Sequence, residues 1–197
     1  MQDIERKKLL DRKSEYLSIG ITEGGIAKSV IHIPWESTAQ AYNMRLPNVY
    51  IAPEDLADEA IMHMIMAHKV IGCYVWVPLD DYTFLSNFTE LEDLSIMHGD
   101  NIRSLDFLQS LSECQMLFLH NAKVDDLNVL IDLNHKQQNI FGGLRCVGLV
   151  NCEVRDLTIF EREKHFFAEF LVWEHKPNKK RWEAISAGRK TIVDLSQ

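Results

Sequence analysis

QMLFLHNAKVDDL (residues 115–127) and RCVGLVNCEVRDL (residues 145–157) share Leu119/Leu149, Asn121/Asn151, Val124/Val154, Asp126/Asp156 and Leu127/Leu157, at a constant offset of 30 residues. Self-similarity at such an interval marks a stacked, repetitive architecture. Take the unit as apolar residues at n, n+2, n+7 and n+10. Leu117, Leu119, Val124 and Leu127 fit, as do Val147, Leu149, Val154 and Leu157. Upstream, Leu94, Ile96, Ile102 and Leu105 fit with one residue inserted near Gly99, and Val75, Val77, Tyr82 and Leu85 fit as they stand. Weaker copies begin at Val49/Ile51 and at Phe170/Val172.

The spacing has a physical meaning. Side chains at n and n+2 leave the same face of a short strand. The chain then turns, and n+7 and n+10 return to the same interior. Leu105-x-x-Leu108 and Leu127-x-x-Leu130 predict a short helix or 3₁₀ turn on the outer side. One unit cannot bury its own apolar edge, whereas stacked neighbours bury a shared core.

This unit resembles the leucine-rich repeat, LxxLxLxxNxIxDIxxL, over about residues 70–160. MLFLHNAKVDDLNVL matches the L-x-L, with Val124 at the I, Asp126-Leu127 at the D-I and Leu130 at the final L. CVGLVNCEVRDLTIF matches in the same way, and Cys152 stands where the family carries Asn or Cys. Ala122 replaces the Asn of the pattern, and Pro78–Asp81 and Gly99-Asp100-Asn101 replace it elsewhere. Unit spacings of 19, 23 and 30 residues are uneven. The resemblance implies an α/β fold: a short, irregular solenoid of bacterial-type repeats with a parallel sheet, flanked by an N-terminal α/β cap and a C-terminal β-hairpin cap. The expected organisation is a single domain, with 1–70 as N-terminal cap and first strand-helix unit, 71–172 as solenoid and 173–197 as C-terminal cap.

The flanks are read from their own patterns. IERKKLLDRK predicts a short helix, and EYLSIGITEGGIAKSVIHI predicts a hairpin turning at Glu23-Gly24-Gly25. EDLADEAIMHMIMAHK (54–69) predicts a helix, with acids first, Lys69 last and Leu56, Ile61, Ile65 and Met66 among its apolar residues. It lies between strands NVYIA and VIGCYVWV, which predicts a parallel crossover. AEFLVWEHKPNKKRWEAI predicts a hairpin around Pro-Asn, GRKTIVDL adds a further strand, and HKQQNIFGG reads as a lengthened loop.

Composition bounds the function. The chain has 197 residues, 46% apolar and 25% charged, which suits a globular domain. Its N-terminus, MQDIERKKLLDRKSEY, lacks the apolar segment of a secretory signal, and the run Ile61–Met66, broken by His63, is too short to span a bilayer. Cys73, Cys114, Cys146 and Cys152 show no CxxC spacing and read as buried thiols of a reducing, cytoplasmic setting. A net charge of −8 argues against nucleic acid or an anionic membrane as partner. That charge is uneven: residues 80–113 carry −7, with Arg103 their one base, and residues 161–190 carry +3.

No Gly-rich phosphate loop, HExxH or GxSxG motif occurs. His63 and His68 are five apart, which misses the i,i+4 spacing suited to a shared metal. His98, His120 and Val150 are read as equivalent strand-end positions. The two histidines, with Asp93 or Asp100 nearby, outline a metal-dependent enzyme as the alternative function. Surface histidines on a polar edge are the simpler account. Asp126 and Asp156 read as caps of the following turn, and Asn121 and Asn151 as turn residues.

More informative are the side chains turned away from the core. The n+1 positions are Trp76, Ser95, Phe118 and Gly148, with Tyr50 and Leu171 if the weaker copies hold. The n+3 positions add Pro78, Met97, His120, Val150 and Trp173, and the n−1 positions add Tyr74, Asp93, Met116 and Cys146. A solvated sheet face should be mostly polar, and this one is rich in aromatic and sulfur side chains. The expectation is a concave face that binds a protein, without catalysis, metal or cofactor. Trp76, Phe118 and Trp173 are its anchors, Gly148 leaves a notch beside Phe118, and Tyr50, Met97, Met116, His120 and Asp93 contribute. The acidic stretch would orient a basic partner. An adaptor, or an inhibitor that neutralises a toxin, fits the same description.

Overall fold

The computed structural model describes residues 1–10, 15–25, 47–136, 144, 146–156, 158–159, 169–173 and 192–194, with the main chain alone for 134–136, 169–173 and 192–194. The first elements are α1 (Asp3–Leu10), β1 (Tyr16–Ile21), β2 (Val49–Ile51), α2 (Glu59–Met66) and β3 (Lys69–Val75). There follow β4 (Asp93–Ile96), β5 (Met116–His120), β6 (Lys123–Val124), α3 (Asn128–Lys136), β7 (Cys146–Val150), β8 (Glu153–Val154), β9 (Glu169–Trp173) and β10 (Ile192–Asp194). Eight strands form one sheet in the order β10-β9-β7-β5-β4-β3-β1-β2. Every pairing in it is parallel. The short β6 and β8 make a second, parallel ladder. The chain is therefore an α/β protein whose strands from β3 to β10 are laid down in sequence order.

Register places Val49, Ile19, Cys73, Leu94, Leu117 and Val147 in one row, continued by Phe170 and Ile192. Two residues on, Ile51, Ile21, Val75, Ile96, Leu119 and Leu149 make a second row on the same side. From β2 to β7 the side chains of these two rows are at most 1% exposed and form the floor of the core. From Cys73 to Leu94, Leu117, Val147, Phe170 and Ile192 the intervals are 21, 23, 30, 23 and 22 residues. The β3 unit thus begins at Cys73, two residues before the predicted Val75.

The connections facing this floor carry buried residues every third position: Leu79, Tyr82, Leu85, Phe88 and Leu91, then Ile102, Leu105, Leu108, Leu111 and Cys114. The 3₁₀ turns Thr83–Asn87 and Asp106–Ser110 lie within these runs. The buried residues are also the hydrogen-bonded ones. Leu85, Phe88 and Leu91 donate to Tyr82, Leu85 and Phe88, and Leu108, Leu111 and Cys114 donate to Leu105, Leu108 and Leu111, at 2.9–3.1 Å. An i to i+3 bond eclipses side chains three apart, so one face of each connection is continuously apolar. Where the interval is 30 residues, α3 replaces the 3₁₀ turn and buries Leu130 and Leu133.

Several expectations are corrected. The helix expected over 54–69 is split into a 3₁₀ turn, Pro53–Ala57, and α2. Asp58 divides them, because its carboxylate accepts from the N–H groups of Ala60 and Ile61 and so caps a new helix. Met66, counted among the apolar residues of that helix, is 51% exposed. β2 and β3 are parallel members of the sheet, as the crossover requires, but β1 lies between them. β1 does not enter a hairpin at Glu23–Gly25, which is a 3₁₀ turn. Both edges of Ile19–Ile21 are already paired in parallel, to β2 and to β3. The C-terminal hairpin meets the same obstacle. β9 is flanked by β7 and β10, both parallel, so GRKTIVDL extends the sheet instead. The remaining halves of both hairpins and the HKQQNIFGG loop lie outside the described residues, apart from the α3 end. The edge strand β2 is closed by α1: buried Glu5 accepts from the Tyr50 N–H at 2.7 Å. That occupies one backbone donor on an edge at which another chain could pair.

Candidate binding face

Side chains alternate along a strand, so the residues between the two core rows leave the opposite face of the sheet. Register sets Tyr50, Gly20, Tyr74, Ser95, Phe118 and Gly148 side by side there. Trp76 is not in this row, contrary to expectation. It follows Val75, the partner of Ile96, and so stands two places further on, in the row of Met97, His120 and Val150. Tyr74 takes the place expected for Trp76. His98 likewise moves one place past the His120 row, so the two histidines are not equivalent positions on adjacent strands.

Two glycines decide how the rings lie. A Cβ on Gly20 would stand 2.8 Å from Trp76 Cζ3 and 3.0 Å from Tyr50 Cδ1, so both rings rest on its bare backbone. Tyr50, Trp76 and Tyr74 form a continuous stack, with centroids 5.9 and 6.2 Å apart and planes inclined by 23° and 25°. The Lys8 ammonium sits 5.9 Å above the Tyr50 ring. Burial, then the Glu5 carboxylate, raises the Tyr50 phenol pKa. On the other side, a Cβ on Gly148 would stand 2.3 Å from Phe118 Cδ1. The expected notch does not exist, because the Phe118 ring fills it.

The expected site residues therefore divide. Tyr50, Trp76, Met97 and Met116 are half-buried and offer part of their surface. Phe118 (0% exposed), Asp93 (3%) and His120 (7%) are buried and offer none, so Phe118 is not an exposed anchor. Trp173 is placed beside Val150 by the main chain of β9, and its side chain lies outside the description. The face also carries buried polar atoms. The Ser18 and Ser95 hydroxyls and the Trp76 indole N–H have no hydrogen-bond partner among the described residues. Ser18 and Gly20, on β1, were not included in the sequence reading. Their signal was the alternation Leu17, Ile19, Ile21, which matches the core rows but has no following turn of the repeat.

The histidine edge is unlike the exposed pair expected. His98 is exposed and His120 buried. Burial, then the nearby His98, lowers the His120 pKa to about 4, so its ring is neutral at neutral pH. Among the described residues no group of three or more His, Cys, Asp or Glu is placed to hold a metal ion. Nor is any helix among them long and apolar enough to cross a membrane. All four cysteines are buried thiols outside any disulfide.

Asn121 and Asn151 sit at the strand ends with φ of 62° and 52°, a conformation that Asn tolerates better than most residues. Asn151 Nδ2 donates to Asn121 Oδ1 at 2.8 Å, and Asn121 Nδ2 to the Met97 carbonyl at 3.4 Å. The Cys152 thiol donates to the Leu119 carbonyl at 3.2 Å. These side chains tie neighbouring strand ends together and are structural. A scan against protein-family models found no match, and a search of curated proteins found none either.

Proposed function

We propose that this protein is a non-catalytic binding module of leucine-rich-repeat type, a short irregular solenoid that engages a protein partner through the face opposite its leucine core. One observation carries the reading: Trp76 is half-buried, stacked between Tyr50 and Tyr74, and backed by glycine. A ring held this rigidly loses little entropy on binding, and tryptophan is enriched among the energetic anchors of interfaces. Met97, next in its row on β4, flanks it with adaptable apolar surface. The sequential parallel strands, the intervals of 21–23 residues and the Asn121–Asn151 bond support the repeat architecture. Buried thiols support a reducing, cytoplasmic setting.

The test is affinity capture from lysate of the source cell with wild-type protein and with Trp76→Ala. Loss of an interface anchor costs about 2 kcal/mol or more, a roughly thirtyfold weakening. The expected outcome is loss of the captured partner with circular dichroism unchanged. Capture by Trp76→Ala equal to wild type would refute the face as the binding site.

A further inference from the structure

The ends of β3 and β4 lead from the apolar rim into two acidic turns. Beyond Trp76 the chain runs through half-buried Val77 to exposed Asp80 and Asp81, and beyond Met97 it runs to exposed Asp100. The two turns are clasped together. Tyr82 Oη donates to the His98 carbonyl at 2.9 Å, and Asn101 Nδ2 donates to the Leu79 carbonyl and to Asp80 Oδ1, each at 3.2 Å. Asp80 and Asp100 are close enough that both raise the Tyr82 phenol pKa, after burial.

The nearest base does not neutralise them. Arg103 Nη1 is held by the Asp100 and Ile102 carbonyls, at 2.6 and 3.1 Å, so it serves the main chain. Asp80, Asp81 and Asp100 enter no ion pair among the described residues. Other strand ends differ: Lys69 meets Glu15 and Glu90, Lys123 meets Glu153, and Arg155 meets Asp125. An apolar rim thus borders exposed carboxylates that have no ion-pair partner among the described residues. Exposed unpaired charges beside an apolar anchor steer and align an oppositely charged partner.

From this juxtaposition we infer that the occupant of the Trp76–Met97 rim is a basic segment of a partner protein, with Lys or Arg side chains meeting Asp80, Asp81 and Asp100 and an apolar side chain seated on Trp76. This rests on the binding reading above and adds the chemistry of the partner.

The test uses the full chain and a fluorescein-labelled twelve-residue peptide of alternating Lys and Leu, followed by anisotropy from low to high salt. An alternating Glu and Leu peptide serves as control. The inference expects saturable binding of the basic peptide alone. It expects a roughly tenfold loss and a shallower salt dependence in Asp80→Asn/Asp100→Asn, in which Asn still accepts from Asn101. It expects little change in Asp126→Asn/Asp132→Asn, acids on another connection. No binding of the basic peptide, or equal loss in the two double variants, overturns it. If the two double variants bind like wild type while Trp76→Ala abolishes binding, the basic chemistry is wrong and the face survives. If Trp76→Ala also binds like wild type, both fail.

Discussion

At the scale of single residues, the sheet face opposite the core contains two kinds of aromatic ring. Phe118 is fully buried across Gly148, whereas Trp76 keeps part of its surface. They should separate stability from binding. Phe118→Ala removes a buried ring from a filled site and is expected to cost about 3–5 kcal/mol. Gly148→Ala is expected to destabilise as well, because the new methyl would stand 2.3 Å from the ring it displaces. Trp76→Ala, starting from a half-exposed ring, should cost less stability than Phe118→Ala while losing more binding. Urea midpoints measured beside capture check both. A Trp76→Ala midpoint as low as that of Phe118→Ala would mean that Trp76 is a core residue.

At the scale of elements, the outer connections that follow β3, β4, β5 and β7 open on the same small device. A side-chain oxygen accepts from the N–H two residues on: Asp81 to Thr83, Ser104 to Asp106, Asp126 to Asn128 and Asp156 to Thr158, at 2.8–3.1 Å. The Thr83 hydroxyl, and after it the Thr83 N–H, holds the Asp81 carboxyl below the usual range. Asp126→Ala should cost about 1 kcal/mol in urea unfolding, and Asp126→Asn should restore most of it. Equal loss in the two variants would show that charge rather than the cap matters. This device is what the doubled stretch in the sequence recorded, so the β5 and β7 units were legible there together with their register. The β3 unit was misplaced by two residues for a definite reason. Cys73-Tyr74-Val75 and Val75-Trp76-Val77 alternate in the same way, and a slip of two preserves every inward and outward assignment. Alternation likewise told on which side Phe118 lies but not that the side is covered. Glu-Gly-Gly and Pro-Asn are good hairpin turns locally, yet no single strand announces that both its edges will be taken by parallel neighbours.

At the scale of the whole molecule, buried ionisable groups bound the stable pH range. Burial raises the Cys114 and Cys152 thiols from 9.0 to about 12, and Cys73 further. Above about pH 9 the unfolded chain releases protons that the folded chain retains, so stability falls as pH rises from there towards 12. Each such thiol contributes roughly 1.4 kcal/mol per pH unit in that window. His120 sets the opposite limit. Its pKa is lowered from 6.5 to about 4, so below pH 6.5 the unfolded chain binds a proton that the folded chain refuses, and stability falls towards pH 4. The expected profile of Tm is a plateau between these limits, with no thiol reacting rapidly with a disulfide reagent until the protein unfolds. Serine at positions 73, 114 and 152 should flatten the alkaline side. An unchanged alkaline slope in that triple variant would contradict the assignment.

The three-residue beat of the outer connections continues without a break from Leu91 to Leu94 and from Cys114 to Leu117, where the strands begin. Such a connection has a phase, much as a coding sequence has a frame. Three extra residues lengthen it by one bond and return every later side chain to its former side. One or two extra residues inside such a run rotate all that follows, and the next strand meets the sheet with its other face inward. Natural variation in the length of the 3₁₀ runs should therefore come in threes, whereas the turns before them, where the 21- and 23-residue intervals differ, are free of that rule.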